Sequence, residues 1–263
     1  GVPGDDGLVE DVLDGGHGAV RGGVRANIKP LDLGRIDPVR LALISDVHSN
    51  LPALEVVLEA AEEAGAEHIL HAGDVVGYNP FPNEVVRLLR SRGVQSIQGN
   101  HDRAALSGDT SGFNPYAAEA ISWTRSQLNE TSERFLAGLP IELDTNHGGA
   151  ALRLVHGSPV DPDGYVFPHQ ANASLLRLAG TEVLVMGHTH LPFVKKTGEG
   201  MLLNPGSVGQ PRDGDPRASW ALLDLPEGNA ELRRTPYDIQ VVRHEILACD
   251  LPTFLAERLL TGR

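Results

Sequence analysis

An α/β fold is predicted by three features of this chain. Short apolar runs alternate with stretches of helical period, each apolar run stops abruptly at polar residues, and 41% of the 263 residues are hydrophobic, enough for a sizeable core. Val39–Ile44 opens the pattern as a strand apolar on both faces, and it runs into Ser45-Asp46-Val47-His48-Ser49-Asn50. Leu51–Gly65 follows as an amphipathic helix: Leu54, Val57, Leu58 and Ala61 share one face, Ser49 or Asn50 is placed to cap it, and Gly65 ends it. Glu67–Ala72 is a second strand, leading to Gly73-Asp74, and a second helix carries Val85, Val86, Leu88 and Leu89 as far as Gly93. Val94–Gln98 is a third strand, ending in Gly99-Asn100-His101-Asp102. Right-handed crossovers place these three strand ends on one edge of a parallel sheet.

The second half is more mixed. Residues 115–139 read as helical, and 141–144 and 150–156 as strands around a Gly148-Gly149 turn. A helix near 171–179 precedes a strand at 182–186, and short strands are expected at 193–196, 201–204, 218–223 and 230–234 before a last helix at 253–260. Residues 1–37 stand apart: they are rich in glycine and acids, without sustained periodicity, and read as a flexible extension preceding a single domain over 38–263. With one cysteine, Cys249, no intrachain disulfide forms and a reducing compartment is expected. No long apolar run and no basic-then-apolar leader are present, so the expectation is a cytoplasmic protein without membrane attachment. A net charge of −13 argues against polymeric nucleic acid as a partner, while a small phosphorylated substrate stays compatible if cations reverse the local sign.

Five segments carry metal-type side chains at apolar strand ends: Asp46 and His48, Asp74, Asn100, His156, then His188 and His190. Asp46 and His48 are two residues apart, so in extended backbone they project to the same side. Carboxylate, imidazole and amide together suit Mn²⁺, Fe²⁺, Zn²⁺, Ni²⁺ or Co²⁺ rather than Ca²⁺ or thiolate-bound zinc. Seven ligands are too many for one tetrahedral ion and suit two ions that share a carboxylate. His68, His71, His147, His169 and His244 have no such context and read as structural or solvated.

In order, Asp46-Val47-His48, Gly73-Asp74-Val75-Val76, Gly99-Asn100-His101-Asp102, His156 and Gly187-His188-Thr189-His190 resemble the signature of the calcineurin-like metallophosphoesterases over about residues 39–225. The resemblance implies a four-layer α/β/β/α sandwich of two mixed β-sheets flanked by helices. It also implies that Asp46, His48 and His190 hold one divalent ion, Mn²⁺ being the first expectation, that Asn100, His156 and His188 hold a second, and that Asp74 bridges them. A hydroxide between the ions would attack phosphorus, His101 would serve the leaving oxygen as acid, and Asp102 would orient His101 or its loop. Arg212, in a stretch Asn204–Arg212 similar to small prokaryotic members, Arg103 and Asn50 are candidate substrate contacts; surface placement for Arg212 and helix capping for Asn50 are the structural alternatives. Tyr78, Asn79 and Phe81 are candidate rim residues. The Val75-Val76-Gly77-Tyr78 stretch lacks the arginine that protein phosphatases and symmetrical dinucleoside polyphosphate hydrolases carry there. That departure points to a phosphodiesterase acting on small molecules or nucleotides. A phosphomonoesterase, a dinucleoside polyphosphate hydrolase or a slow nucleotide-binding regulator remain alternatives, and a homo-oligomer is compatible.

Overall fold

A computed structural model describes residues 38–263, and the expected extension over 1–37 lies outside the described residues. Two five-stranded sheets form the centre. In the first, β1 (Val39–Ile44) lies parallel to β2 (His68–His71), which lies parallel to β3 (Gln95–Ser96). On the other side of β1, β9 (Ala218–Leu225) and β10 (Asn229–Thr235) add antiparallel. The second sheet has the order β4 (Glu142–His147), β5 (Ala150–Val155), β6 (Val183–Val185), β8 (Gly200–Asn204), β7 (Phe193–Thr197), parallel from β5 through β8 and antiparallel at both edges.

Strand periodicity explains how the layers stack. Leu41 and Leu43 of β1, with Leu70 and Leu223, pack against Leu152, Leu154, Val185 and Leu203 in the core between the sheets. Their neighbours Ala42 and Ile44 face the other way, onto Leu54, Val57 and Leu58 of α1 (Leu51–Glu63) and Val85 and Leu89 of α2 (Pro82–Ser91). The outer face of the second sheet, with Leu184 and Leu202, is covered by Leu176 and Ala179 of α6 (Ala173–Ala179). The result is the α/β/β/α sandwich, and both faces of β1 are buried as its sequence requires.

Four local expectations are corrected. The third strand is only two residues long, and Asn100 and His101 begin a helix, α3 (Asn100–Ser107), instead of ending a strand. The Asp102 carboxylate accepts the Gly99 N–H at 2.9 Å, satisfying an N-terminal donor of that helix. The helical stretch 115–139 divides into α4 (Pro115–Gln127) and α5 (Glu130–Ala137), because Asn129 caps the second by accepting from the Ser132 N–H. A further helix, α7 (Ile239–Ala248), is capped by Asp238 and packs Val242 and Ile246 against α8 (Thr253–Leu259) and α4. Finally, Asp46 and His48 are not in extended backbone: β1 ends at Ile44, and both residues are left-handed, with φ of 53° and 46°. Among the described residues, no helix is long and apolar enough to cross a membrane.

Candidate functional site

The polar ends of β1, β2, β5 and β6 meet the first turn of α3 at one edge of the sandwich. Ladder continuity brings them together: the Asp46 N–H donates to the Gly73 carbonyl, the His48 N–H to Asp74, and the Gly187 N–H to His156. Asp46, His48, Asp74, His188 and His190 all have positive φ, between 46° and 66°. Each such residue costs on the order of 1 kcal/mol, and such conformations concentrate where function needs side chains aimed against local preference.

All seven candidate ligands lie in this cluster, buried or nearly so. Asp46, His48 and His190 offer ligand atoms within 4.8 Å of one another, as do Asp74, His156 and His188. The Asn100 Oδ1 lies 3.0 Å from His156 Nε2. Asp74 sits between the two groups: its Oδ2 is 3.5 Å from His48 Nε2 and 3.3 Å from His156 Nε2, while its Oδ1 accepts the His101 N–H at 2.9 Å.

The imidazoles are oriented by backbone carbonyls. Nδ1–H of His48 donates to Val76 (3.2 Å), that of His156 to Ala72 (2.8 Å), and that of His190 to Gln210 (2.6 Å). A carbonyl only accepts, so in the neutral rings Nε2 is a bare lone pair turned toward the carboxylates. His48 and His190 thereby confront each other, Nε2 to Nε2, at 3.1 Å. The Asp46 Oδ1, buried beside them, has no hydrogen-bond partner. Two facing lone pairs and an orphaned buried carboxylate oxygen are unfavourable until a cation lies among them, so these residues fit divalent metal.

The electrostatics agree. Burial alone would raise both carboxyls, yet neighbouring imidazoles overcome it and hold Asp46 and Asp74 well below the usual carboxylate range. Burial lowers His156, but Asp74 outweighs this and raises it to about 9, so the carboxylates favour a positive charge beside this ring, which a proton or a metal ion at Nε2 can supply. His190 is pushed down to about 3 by burial, then by Arg212. Burial likewise holds His101 well below its ordinary value. Its ring packs on Tyr78 (4.5 Å between centroids), His48 (4.6 Å) and Phe113 (5.0 Å), and its Nδ1 is unpartnered.

A cavity of 730 Å³ opens over the cluster, with Asp74, Asn100, His101, His188 and His190 in its wall. Arg212 lines it too, half-buried, donating to the Tyr78 hydroxyl and to Gln210, so it is not the loose surface arginine of the structural alternative. Arg103 is not itself in the cavity wall; it forms an ion pair with Asp163, which is. Asn50 is fully buried, with Oδ1 accepting from Ala53 and Nδ2 donating to Gly209, so the helix cap is its role and it does not line the cavity. Asp102 does not hold the His101 ring. Its oxygens accept the N–H groups of Asp74, Val75, Val76 and Gly99, which ties the loop after β2 to α3. Of the three rim candidates, only Tyr78 lines the cavity; Asn79 instead braces the His48 carbonyl at 2.8 Å. Residues without a local motif complete the wall: Phe113, Tyr116, Asp163, Tyr165, Phe254 and Arg258. They come from loops, the first turn of α4, and α8, and nothing in their spacing marks them.

Comparison with known proteins accords with this geometry. Residues 39–228 match the calcineurin-like phosphoesterase superfamily domain. An uncharacterised protein of Methanocaldococcus jannaschii is 36% identical over 241 residues, spanning 85% of this chain and 98% of its own length. The phosphodiesterase YfcE of Escherichia coli is 29% identical over 199 residues, 71% of this chain and 88% of that protein. The crystal structure of a metallophosphoesterase from Sphaerobacter thermophilus superposes with a TM-score of 0.75 at 33% identity, covering 86% of this chain and 100% of the other.

Proposed function

Starting from the chain's membership of the calcineurin-like phosphoesterase superfamily, we propose that it is a two-metal phosphodiesterase acting on small molecules or nucleotides. The observation that carries this reading is the position of Asp74, whose single oxygen lies within 3.5 Å of an imidazole from each ligand group. Asp46, His48 and His190 would hold one ion and Asn100, His156 and His188 the other, with Asp74 shared. Such a pair supplies Lewis acidity toward phosphoryl oxygens and a nucleophile from water near neutral pH.

The chain's own residues do the rest. The carbonyls of Ala72, Val76 and Gln210 keep three imidazoles in the ligating tautomer. Held neutral by burial, His101 can donate an N–H hydrogen bond to a leaving oxygen, and its Nδ1 has no partner within the protein. Arg212 stands beside Tyr78 in the same cavity wall as His101, a donor for a phosphate group of the substrate. The diester preference is supported by the likeness to a phosphodiesterase and by the hydrophobic Val75-Val76 stretch after Asp74, where no arginine meets a monoester dianion. The protein reconstituted in turn with Mn²⁺, Fe²⁺, Zn²⁺, Ni²⁺ and Co²⁺ is expected to hydrolyse bis-p-nitrophenyl phosphate faster than p-nitrophenyl phosphate, with Mn²⁺ the most effective ion. A reversed preference overturns the diester assignment, and inactivity toward both overturns the enzyme.

A further inference from the structure

The wall of the cavity farther along the chain than the family domain has its own chemistry. Residues 239–259, in α7 and α8, follow the segment 39–228 that matches the family, and α8 lays Phe254 and Arg258 along the same cavity as His101. Arg258 spends one donor at home, Nε to the main-chain oxygen of Arg263 at 2.6 Å, and its guanidinium carbon lies 5.2 Å from the Phe254 ring centroid. Among the described residues its terminal nitrogens meet no acceptor and no Asp or Glu side chain pairs with it. Arg212 is in the same condition: it donates only to the neutral Tyr78 and Gln210, its Nε is buried without a partner, and no carboxylate balances its charge.

Two arginines thus line one cavity of a chain whose net charge is −13, without an Asp or Glu side chain for either among the described residues. The acids that do line it are committed elsewhere, Asp74 to the imidazole cluster and Asp163 to Arg103. The two cations are also near enough to feel each other, since Arg258 is lowered to about 10 by burial and then by Arg212. Uncompensated like charges in a half-buried wall are unfavourable and become favourable when an anion lies between them. Alongside, Tyr116 and Phe254 stack at 4.7 Å and remain partly exposed, a flat apolar face for an aromatic ring.

We propose that Arg212 and Arg258, with the Tyr116–Phe254 pair, form a subsite for a second, non-scissile phosphate of the substrate, so that the protein prefers nucleotide diesters carrying an additional terminal phosphate. This rests on the phosphodiesterase reading, which fixes where the scissile group sits.

The test is competition against bis-p-nitrophenyl phosphate hydrolysis by linear diadenylate with and without a 5′-phosphate. The 5′-phosphate is expected to strengthen inhibition of the unsubstituted protein by roughly 10–100-fold, the scale of a charge-assisted pair of hydrogen bonds. In Arg258→Gln that ratio falls to about threefold or less, and Arg258→Lys recovers part of it. A ratio near one in the unsubstituted protein, or one retained in Arg258→Gln, overturns the subsite. A variant altered only in its inhibition by inorganic phosphate assigns the arginines to a free anion and overturns the substrate role. If the metal-loaded protein leaves bis-p-nitrophenyl phosphate intact, the phosphodiesterase reading fails instead, and the same ratio is read from calorimetric binding of the two dinucleotides.

Discussion

His101 and His71 show what one imidazole does in two different surroundings. Both are fully buried, and burial depresses both. His101 reaches the cavity beside Asp74, and in the proposed mechanism its loss would remove a donor to the leaving group and no metal ligand. His101→Ala is expected to lower turnover by roughly 10²–10⁴-fold with metal content retained, as measured by steady-state kinetics and elemental analysis of the same sample. Equal loss of metal and activity would make His101 a ligand. His71 ends β2 with neither nitrogen hydrogen-bonded, and its pKa is lowered to about 3. In the unfolded chain its pKa is near 6.5, so the unfolded state binds the proton first, and stability is full above that value and lost as pH falls from 6.5 toward 3. At pH 5 this one group costs about 2 kcal/mol. Denaturant midpoints at pH 7 and pH 5 are expected to differ less in His71→Leu than in the unsubstituted protein; an unchanged difference would show that His71 does not titrate this way.

At the scale of elements, the site depends on how strand ends are joined, and α3 is the joint. Asp102 accepts four backbone N–H groups, three of them from the loop after β2 that carries Asp74. Burial and Asp74 push its carboxyl up to about 6, against the lowering by those N–H groups, so the arrangement stores electrostatic cost at a position the fold cannot do without. Asp102→Ala strands these donors inside the protein and is expected to cost roughly 3–5 kcal/mol, read as a lower thermal midpoint and weaker metal retention. A loss of activity with unchanged stability and metal would instead indicate a direct role in the reaction. Gly99 is constrained by the same joint, since a Cβ there would stand 2.0 Å from the Asp74 Oδ1. The Gly99–Asp102 spacing of the α3 start was readable in the sequence as a helix N-terminus with an acid at its third position. It was obscured because the polar run looked like a strand ending.

Across the whole molecule, metal and fold are linked. The ligands come from segments spread between residues 46 and 190, and both sheets contribute, so an ion held by all of them binds the folded chain and not the unfolded one. Removing metal with a chelator is therefore expected to lower the thermal midpoint by roughly 10 °C at metal concentrations far above the dissociation constant. Re-addition of Mn²⁺ should restore it, and a midpoint indifferent to chelation would remove the ions from the structural account. Helix α8 belongs to this scale too, because it lies outside the family domain in sequence yet lines the cavity that domain opens, with α7 packed behind it.

Composition and local order alone determined the alternation of strand and helix, the burial of both faces of β1, and the identity of the seven candidate ligands that cluster, because apolar period and ordered motifs are properties of neighbouring residues. Only the tertiary structure decided that Asp46 and His48 converge through left-handed backbone instead of strand pleating, that Asn50 is spent on a helix cap and Arg103 on Asp163, and that Arg258 faces the cavity. Those facts depend on which distant chain segment lies opposite each side chain, and no window of sequence contains that information.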